Sequence, residues 1–326
     1  TMIISRTPLR ISFAGGGSDI PDYYLHNNFG QVISCGINKY IYVAIKKQSL
    51  ISEFKYRIKW DQIENCNSIE KIKHPIIKAA LKYFNIKDSL EIITFSDVPI
   101  GTGLGSSSTF TVGLVNALLA YLGRRASKGS MAEIAAKIEI DILGKKIGKQ
   151  DHFAASYGKL HVYTFKDDET VEIEPVISKT NIFTEIENRI TMFYTRKKRE
   201  ANWILEKSNI IDKAEILTKQ KQQVEQFRKI FLGQRKINDF GKLLHEGWLL
   251  KKSVSKYISN RGIDQSYNKA MQSGATGGKI LGAGGGGFFI FYSPINKKNL
   301  IKKNLKNLLR VDFKFEDSGT RITYYD

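Results

Sequence analysis

The sequence predicts an α+β protein of two domains, which span residues 1–180 and 181–326. Its 326 residues are enough for two domains of ordinary size. The first half alternates strand-like and helix-like segments around a glycine-rich loop, which predicts a mixed α/β domain. The second half places charged helical segments among short apolar strands, which predicts helices on one face of an antiparallel sheet.

Each element is predicted from the spacing of its apolar residues, with a period of two for strands and 3.6 for helices. In the first half, strands are expected at 3–5, 10–13, 32–37, 41–45, 54–60, 90–96, 160–165 and 170–174, a helical turn at 20–26, and helices at 74–84, 109–122, 131–143 and 151–157. A polar stretch at 175–188 is the predicted domain junction. In the second half, strands are expected at 189–194, 288–292, 311–315 and 321–325, and helices at 211–231, 240–257, 263–273 and 297–309.

The most informative segment is Pro99-Ile-Gly-Thr-Gly-Leu-Gly-Ser-Ser-Ser108, between a predicted strand and a predicted buried helix. Its three alternating glycines allow positive φ angles and close approach of a ligand. Its three serines are predicted to cap the helix, whose free N–H groups and dipole form an anion site. We expect a triphosphate, bound by Gly101, Gly103, Leu104, Gly105, Ser106, Ser107 and Ser108. The alternative is a glycine-rich turn without a ligand.

This loop differs from two common phosphate-binding motifs. No Gly-Lys-Ser/Thr follows the glycines, as a Walker A loop requires, and residue 106 is Ser where the dinucleotide fingerprint has its third Gly. Two further glycine clusters accompany it, Thr7-Pro-Leu-Arg-Ile-Ser-Phe-Ala-Gly-Gly-Gly-Ser-Asp19 and Gly274-Ala-Thr-Gly-Gly-Lys-Ile-Leu-Gly-Ala-Gly-Gly-Gly-Gly-Phe288. Four consecutive glycines weaken packing ahead of a strand, and close approach to a ligand would offset that cost.

In this order, the three clusters resemble the three motifs of the GHMP small-molecule kinases, and the resemblance spans nearly the whole chain. Within that family, residues 8–21 and 147–152 most resemble the branch that phosphorylates sugars at the anomeric hydroxyl. The resemblance implies an ATP-dependent sugar kinase that uses Mg²⁺.

Asp151 and Arg10 are the candidate catalytic residues. A kinase needs a carboxylate within reach of the acceptor hydroxyl, and the resemblance assigns Asp151 as the base or the group that orients the substrate. The alternative for Asp151 is a helix N-cap. The resemblance places Arg10 near the acceptor oxygen and the transferred phosphoryl group, whereas its strand alone favours an exposed position. No role is assigned to His152.

The same resemblance implies the substrate and metal ligands. Gly16, Gly17, Ser18, Asp19, Gly285 and Gly286 are the predicted sugar-binding residues. Ser107 matches the hydroxyl that binds Mg²⁺, and Glu139 is the predicted second ligand, with Asp141 as a neighbouring candidate. The alternative for Glu139 is an exposed helix charge.

Charge and composition limit the other classes of function that the chain could have. Lys and Arg number 51 against 32 Asp and Glu, a net charge of +19, so nucleic acid is a candidate partner. The densest basic runs, including Arg196-Lys-Lys-Arg199, are not interleaved with aromatic residues as on an RNA-binding sheet, which favours solvated basic faces. No apolar run is long enough for a membrane span, and there is no signal-peptide pattern. Two cysteines exclude a disulfide framework, so we expect a cytoplasmic enzyme.

The substrate is expected to carry a phosphate of its own. Three features support this: the net charge, the amides and Lys279 of the third cluster, and the Gly-Gly-Gly-Ser-Asp segment at 15–19. That segment resembles the family branch that acts on a phosphorylated sugar more than the branches that act on free sugars. The alternatives are a GHMP kinase of a free sugar such as fucose and, from another class, a basic nucleic-acid-binding protein without catalysis. The sequence leaves open whether the chain forms a homo-oligomer.

Overall fold

Two β-sheets organise the chain in a computed structural model that describes residues 1–49, 51–197 and 211–326. Half of the basic run Arg196-Lys-Lys-Arg199 therefore lies outside the described residues. The strands are β1 Met2–Ala14, β2 Phe29–Lys47, β3 Tyr56–Lys59, β4 Ile63–Cys66, β5 Leu90–Ser96, β6 Leu160–Lys166, β7 Val171–Pro175, β8 Ile190–Tyr194, β9 Gly277–Ile280, β10 Phe288–Tyr292, β11 Leu309–Val311 and β12 Arg321–Tyr325.

The described α-helices lie between these strands along the chain. They are α1 Pro21–Tyr24, α2 Pro75–Tyr83, α3 Ser106–Tyr121, α4 Lys128–Ala136, α5 Gln150–Tyr157, α6 Thr180–Arg189, α7 Ala214–Phe231, α8 Asp239–Val254, α9 Arg261–Gln272 and α10 Lys298–Asn304. Short 3₁₀ turns span Ile69–Lys71, Ile211–Lys213 and Ile295–Lys297, and a π-helical segment spans Lys137–Ile142. The predicted junction at 175–188 contains the start of α6.

The first sheet has the order β12-β1-β2-β5-β3-β4, with β6 paired to β2 and β7 paired to β6. Only the β3–β5 pairing is parallel among the described ladders. Strand β2 is long enough to pair with β5 through one end and with β6 through the other. The separate strands predicted at 3–5 and 10–13 are wrong, because they form one strand. Pro8 lies at a register shift of the β1–β2 ladder, where a missing N–H is tolerated.

Helix α3 is the buried centre of the first half. It is apolar on nearly every side and packs against β1 and β2. Gly113 allows this close contact: an added Cβ would lie 2.8 Å from Oγ1 of Thr7, and the Ser5 hydroxyl donates to the Gly113 carbonyl at 2.8 Å. The helix begins at Ser106, not at 109 as predicted, so its first turn consists of the three serines.

The second sheet has the order β11-β8-β10-β9 and is antiparallel throughout, which confirms the predicted α+β second half. Helix α8 packs on β9 and also contacts α7. The C-terminal strand β12 leaves this half and pairs with β1 of the first sheet. The limits 1–180 and 181–326 remain a prediction. In the described part of the chain, no helix combines the length and the apolar character needed to cross a bilayer.

Candidate active site

The loop before α3 has the backbone conformation expected of a phosphate cradle. Gly101, Gly103 and Gly105 have φ angles of 79°, 88° and 76°, a region that strongly favours glycine. The prediction that serine side chains cap α3 is wrong, because Gly105 is the N-cap and no side chain caps the helix. Ser106 instead accepts a hydrogen bond from the Gly101 N–H at 2.9 Å, which closes the loop. The first N–H groups of α3 therefore have no side-chain cap and suit an anion.

The third glycine cluster packs directly on this loop. A Cβ on Gly103 would lie 2.4 Å from the Leu281 carbonyl oxygen, and one on Gly287 would lie 2.1 Å from that of Thr102. The Phe288 N–H donates to the Thr102 carbonyl at 3.1 Å. The glycines of the third cluster therefore hold the second sheet against the loop of residues 99–108, the phosphate loop.

Arg10 and Asp151 form an ion pair at the end of this loop. Nε and Nη2 of Arg10 lie 2.7 and 2.6 Å from Oδ1 of Asp151, and Nη1 donates to the Gly103 carbonyl at 2.9 Å. The side chain of Arg10 is 3% exposed and that of Asp151 is 22% exposed, so the expectation of an exposed Arg10 is wrong. The hydrogen bonds from Arg10 go to Oδ1 of Asp151, whereas Oδ2 faces Gly105, where an added Cβ would lie 3.1 Å from it.

Asp151 does not cap its helix, so that alternative is also wrong. Helix α5 begins at Gln150, which places Asp151 in the first turn with Lys149 as the N-cap. Its carboxylate is held by Arg10 and remains partly open, as a group that contacts an acceptor hydroxyl must be.

Asp19 connects the first glycine cluster to α5. It is 1% exposed and accepts hydrogen bonds from the Gly17 N–H at 3.0 Å and from the backbone and side-chain nitrogens of Gln150 at 3.1 and 3.0 Å. Burial raises the pKa of the Asp19 carboxyl to about 6; the backbone hydrogen bond from Gln150 opposes this, and the Asp151 charge adds to it. Asp19 thus fixes Gln150, the residue just before Asp151.

The other predicted sugar-binding residues differ in their surroundings. Gly16 lies beside the Gln150 side chain, with 3.5 Å between an added Cβ and Nε2. The Ser18 hydroxyl is buried and donates to the Gly15 and Gln31 carbonyls at 2.7 and 3.0 Å, so it stabilises the turn. Gly285 and Gly286 contact other segments than Gly16 and Ser18 do. The Gly285 N–H donates to the Ile258 carbonyl at 2.7 Å, and a Cβ added to Gly286 would lie 3.0 Å from the Cβ of Lys197.

Glu139 is a buried carboxylate beside the phosphate loop. Its side chain is fully buried, which contradicts the alternative of an exposed helix charge. It lies in the π-helical segment, where the predicted helix 131–143 departs from α-helical geometry after Ala136. Oε2 lies 2.9 Å from Nε2 of His152. Burial alone would raise the pKa of Glu139, but the hydrogen bond and charge of His152 and the charge of Lys145 hold it well below its usual range.

Glu139 and Ser107 have the chemistry of a Mg²⁺ site. The Ser107 hydroxyl donates to Oε1 of Glu139 at 2.5 Å, and the Lys145 ammonium lies 2.7 Å from the same carboxylate oxygen. A cation therefore already stands at this pair of oxygens. The described residues contain no cluster of three or more His, Cys, Asp or Glu that would hold a metal alone. Mg²⁺ commonly takes one or two protein oxygens and completes its shell with phosphates and water, so these residues fit it. Asp141 is exposed.

Two further cations lie near Arg10. The Lys279 ammonium is buried and donates to the Phe13 carbonyl at 3.1 Å, and that of Lys251 donates to the Ile280 carbonyl at 2.8 Å and also to that of Gly282. Burial, and then the Arg10 charge, lower the pKa of Lys279 to about 7. Burial and the charges of Lys279 and Arg10 lower the pKa of Lys251 well below its usual value. No carboxylate of the described residues forms an ion pair with either lysine, so an anionic ligand bound here would favour the charged form of both side chains.

Two cavities differ in their relation to this site. One of about 670 Å³ lies between α7 and α8, and no predicted site residue lines it. The other, of about 330 Å³, adjoins the start of the phosphate loop. Its lining includes Trp60, Thr94, Ser96, Asp97, Pro99 and Ile100.

Four residues that shape the site were not predicted from the sequence: Lys145, Gln150, His152 and Lys251. Gln150 and His152 flank Asp151, so their helical neighbourhood is the signal that could have found them. Lys145 and Lys251 are two of many lysines, and nothing in their local sequence separates them from solvated ones.

Comparisons with known proteins place the whole chain in one family. Residues 70–159 match the GHMP kinases N-terminal domain, and residues 224–309 match the GHMP kinases C-terminal domain. The chain is 33% identical to D-glycero-alpha-D-manno-heptose 7-phosphate kinase of Campylobacter jejuni, over 98% of both chains.

Solved structures show the same similarity. The fold superposes on a D-glycero-D-manno-heptose 1-phosphate kinase of Bacteroides thetaiotaomicron with a TM-score of 0.81 and 25% identity, over 99% of both chains. It superposes on a putative sugar kinase of Campylobacter jejuni with a TM-score of 0.72 and 27% identity, over 98% of both chains. The full-length identity and the three glycine clusters lead to one conclusion: the chain belongs to the GHMP kinase family, and within it to the kinases that phosphorylate sugars.

Proposed function

We propose that this protein transfers the γ-phosphoryl group of ATP to the anomeric hydroxyl of D-glycero-D-manno-heptose 7-phosphate and forms the 1,7-bisphosphate. The observation that carries the proposal is the position of Asp151, which Arg10 holds against Gly105 of the phosphate loop. This arrangement brings a carboxylate for the acceptor hydroxyl next to the site expected for the transferred group. The full-length similarity to a heptose 7-phosphate kinase supports the choice of sugar.

The proposed reaction uses the described side chains as follows. The anomeric oxygen forms a bond to the γ-phosphorus, and the bond from that phosphorus to the bridging oxygen of ADP breaks. The hydroxyl proton passes to the free Oδ2 of Asp151. Arg10 lies between Asp151 and the Gly103 carbonyl, where its charge stabilises the negative charge on the transferred group. Positioning and electrostatics supply most of the catalysis in such a reaction.

The nucleotide and metal have distinct places in this proposal. The free N–H groups at the start of α3 bind the phosphates. Ser107 and Glu139 hold Mg²⁺, which neutralises phosphate charge when it is bound. The adenine ring of the nucleotide occupies the cavity beside Pro99 and Ile100, where Trp60 supplies an aromatic surface. A cytoplasmic location, where ATP and Mg²⁺ are supplied, is part of the proposal.

Three basic side chains support an acceptor that carries its own phosphate. Arg10, Lys251 and Lys279 lie together with Asp151 as their single ion-paired carboxylate among the described residues, so a phosphate bound here would raise the lowered pKa values of the two lysines. The similar proteins are named for two acceptors, a heptose 7-phosphate and a heptose 1-phosphate. We propose the 7-phosphate, because the 33% identity to the heptose 7-phosphate kinase exceeds the 25% identity to the heptose 1-phosphate kinase. No observation favours a free sugar such as fucose, or RNA, over this acceptor.

The test is to identify the product. Purified protein is incubated with ATP, Mg²⁺ and, separately, the heptose 7-phosphate, the heptose 1-phosphate, fucose and generic RNA. We expect ADP release with the 7-phosphate, and a new ³¹P signal that is coupled to the anomeric proton. ADP release with only the 1-phosphate or fucose would contradict the proposed acceptor. A salt-sensitive complex with RNA and no ADP release with any sugar would contradict the proposed kinase reaction.

A further inference from the structure

A lysine ammonium bridges the two oxygens that are assigned to Mg²⁺. Nζ of Lys145 lies 3.0 Å from Oγ of Ser107 and 2.7 Å from Oε1 of Glu139. The backbone of the same residue is fixed, because the Lys145 N–H donates to the Glu139 carbonyl at 3.0 Å. Only the side chain therefore needs to move for the ammonium to leave these oxygens.

The two oxygens of Glu139 have separate partners. Oε2 faces His152, whereas Oε1 faces Ser107 and Lys145. A fully buried carboxylate requires a partner, since an unpaired buried charge is strongly destabilising. Without a metal, Lys145 supplies that partner on the side of the phosphate loop. Its side chain is 26% exposed, so the ammonium has a path to solvent.

Lys145 and Mg²⁺ cannot use these oxygens at the same time. Mg²⁺ binds oxygen at 2.0–2.1 Å and demands near-octahedral geometry, which leaves no room for an ammonium on the same oxygen lone pairs. Two adjacent cations would also repel each other. Binding of the metal with its nucleotide must therefore be preceded or accompanied by departure of the lysine.

We propose that Lys145 is a placeholder cation, which keeps Ser107 and Glu139 in position in the metal-free enzyme and is displaced when Mg²⁺ enters with the nucleotide. The inference rests on the proposed function, because it requires a metal–nucleotide complex at the start of α3. It adds a competition between a side chain and the metal that lowers the apparent metal affinity.

The experiment measures metal binding directly. Mn²⁺ is titrated into protein with ADP, and free Mn²⁺ is followed by electron paramagnetic resonance for wild type, Lys145→Met and Lys145→Gln. Both variants are expected to bind Mn²⁺ about fivefold or more tightly than wild type, because no ammonium has to leave. Lys145→Gln keeps a hydrogen-bond donor near Glu139 and serves if the methionine variant does not fold. Lys137→Met is the matched control, since Lys137 is an exposed lysine of the π-helical segment that contains Glu139, and the Mn²⁺ affinity of this variant should equal that of wild type.

The outcomes separate the inference from the proposed function. Unchanged or weaker Mn²⁺ affinity in both Lys145 variants would overturn the placeholder role while leaving the kinase reaction intact. The same gain in Lys137→Met would also overturn it, because the effect would then be one of net charge. Absence of Mn²⁺ binding from wild type and all variants in the presence of ADP would contradict the proposed function together with the inference.

Discussion

At the residue scale, Asp151 is the side chain on which the proposed chemistry depends most. Two nitrogens of Arg10 contact one oxygen of its carboxylate, and the other oxygen stays open next to the phosphate loop. We expect Asp151→Asn to lower kcat by roughly 10²–10⁴, the usual contribution of a general acid–base group, with little change in the KM for ATP. The measurement is steady-state ADP release, with circular dichroism to show that the variant is folded.

The control for this variant is Asp141→Asn, because Asp141 is exposed and also lies between the phosphate loop and α5 in sequence. Its kcat should equal that of wild type. A folded Asp151→Asn enzyme with wild-type kcat would show that this carboxylate takes no part in the reaction.

Asp19 gives the molecule a pH-dependent stability term of known sign. Its pKa is about 6 in the folded protein and 3.8 when unperturbed, so the folded state binds this proton more tightly. The contribution of Asp19 to stability is therefore complete below pH 3.8 and is lost as the pH rises through 6. Urea unfolding at several pH values should show wild type losing on the order of 3 kcal/mol relative to Asp19→Asn across this window. Parallel stability curves for the two proteins would contradict the assignment.

At the element scale, the phosphate loop combines a backbone requirement with a contact. Gly105 has a φ of 76°, and an added Cβ would lie 3.0 Å from Cγ of Asp151. Gly123 has a φ of 65° with nothing within 4 Å of an added Cβ. Both Gly→Ala variants should lose about 1 kcal/mol of stability through backbone strain. Only Gly105→Ala should also raise the KM for ATP and lower kcat, because it alone moves the loop against Asp151.

Steady-state kinetics and urea unfolding of both variants separate these effects. Equal kinetics for Gly105→Ala and Gly123→Ala, at equal loss of stability, would argue against a role of the loop in ATP binding.

The same scale shows what the sequence could and could not predict. The loop and α3 were predicted because glycine spacing and apolar content are local signals, whereas Asp151 was assigned from the family resemblance. The burial of Arg10 was not predicted, because a strand pattern does not show which face of the strand an ion pair will occupy. The π-helical turn that points Glu139 inward was missed because helical periodicity does not report one extra residue in a turn. Merging of the strands around Pro8 depends on the register of the partner strand, which only the folded ladder reveals.

At the scale of the whole molecule, the site lies where segments distant in sequence meet. The glycines of the first cluster directly follow β1, and the phosphate loop leads into α3. The four consecutive glycines of the third cluster lie between β9 and β10. Lys279 and Lys251 come from the second half and lie near Arg10 from the first. Basic side chains thus meet at one place through tertiary packing, although the basic residues are spread along the chain. An anionic acceptor would stabilise the charged forms of these side chains, and this local arrangement, rather than the net charge of +19, is the argument for such an acceptor.

The central claim is that the acceptor is a sugar that already carries a phosphate. The most direct test compares kcat/KM for D-glycero-D-manno-heptose 7-phosphate with that for the same heptose without phosphate, at one ionic strength. The account predicts a preference of about tenfold or more for the phosphorylated sugar, the effect of a few charge-assisted hydrogen bonds. Equal values, or a preference for the free heptose, would contradict it.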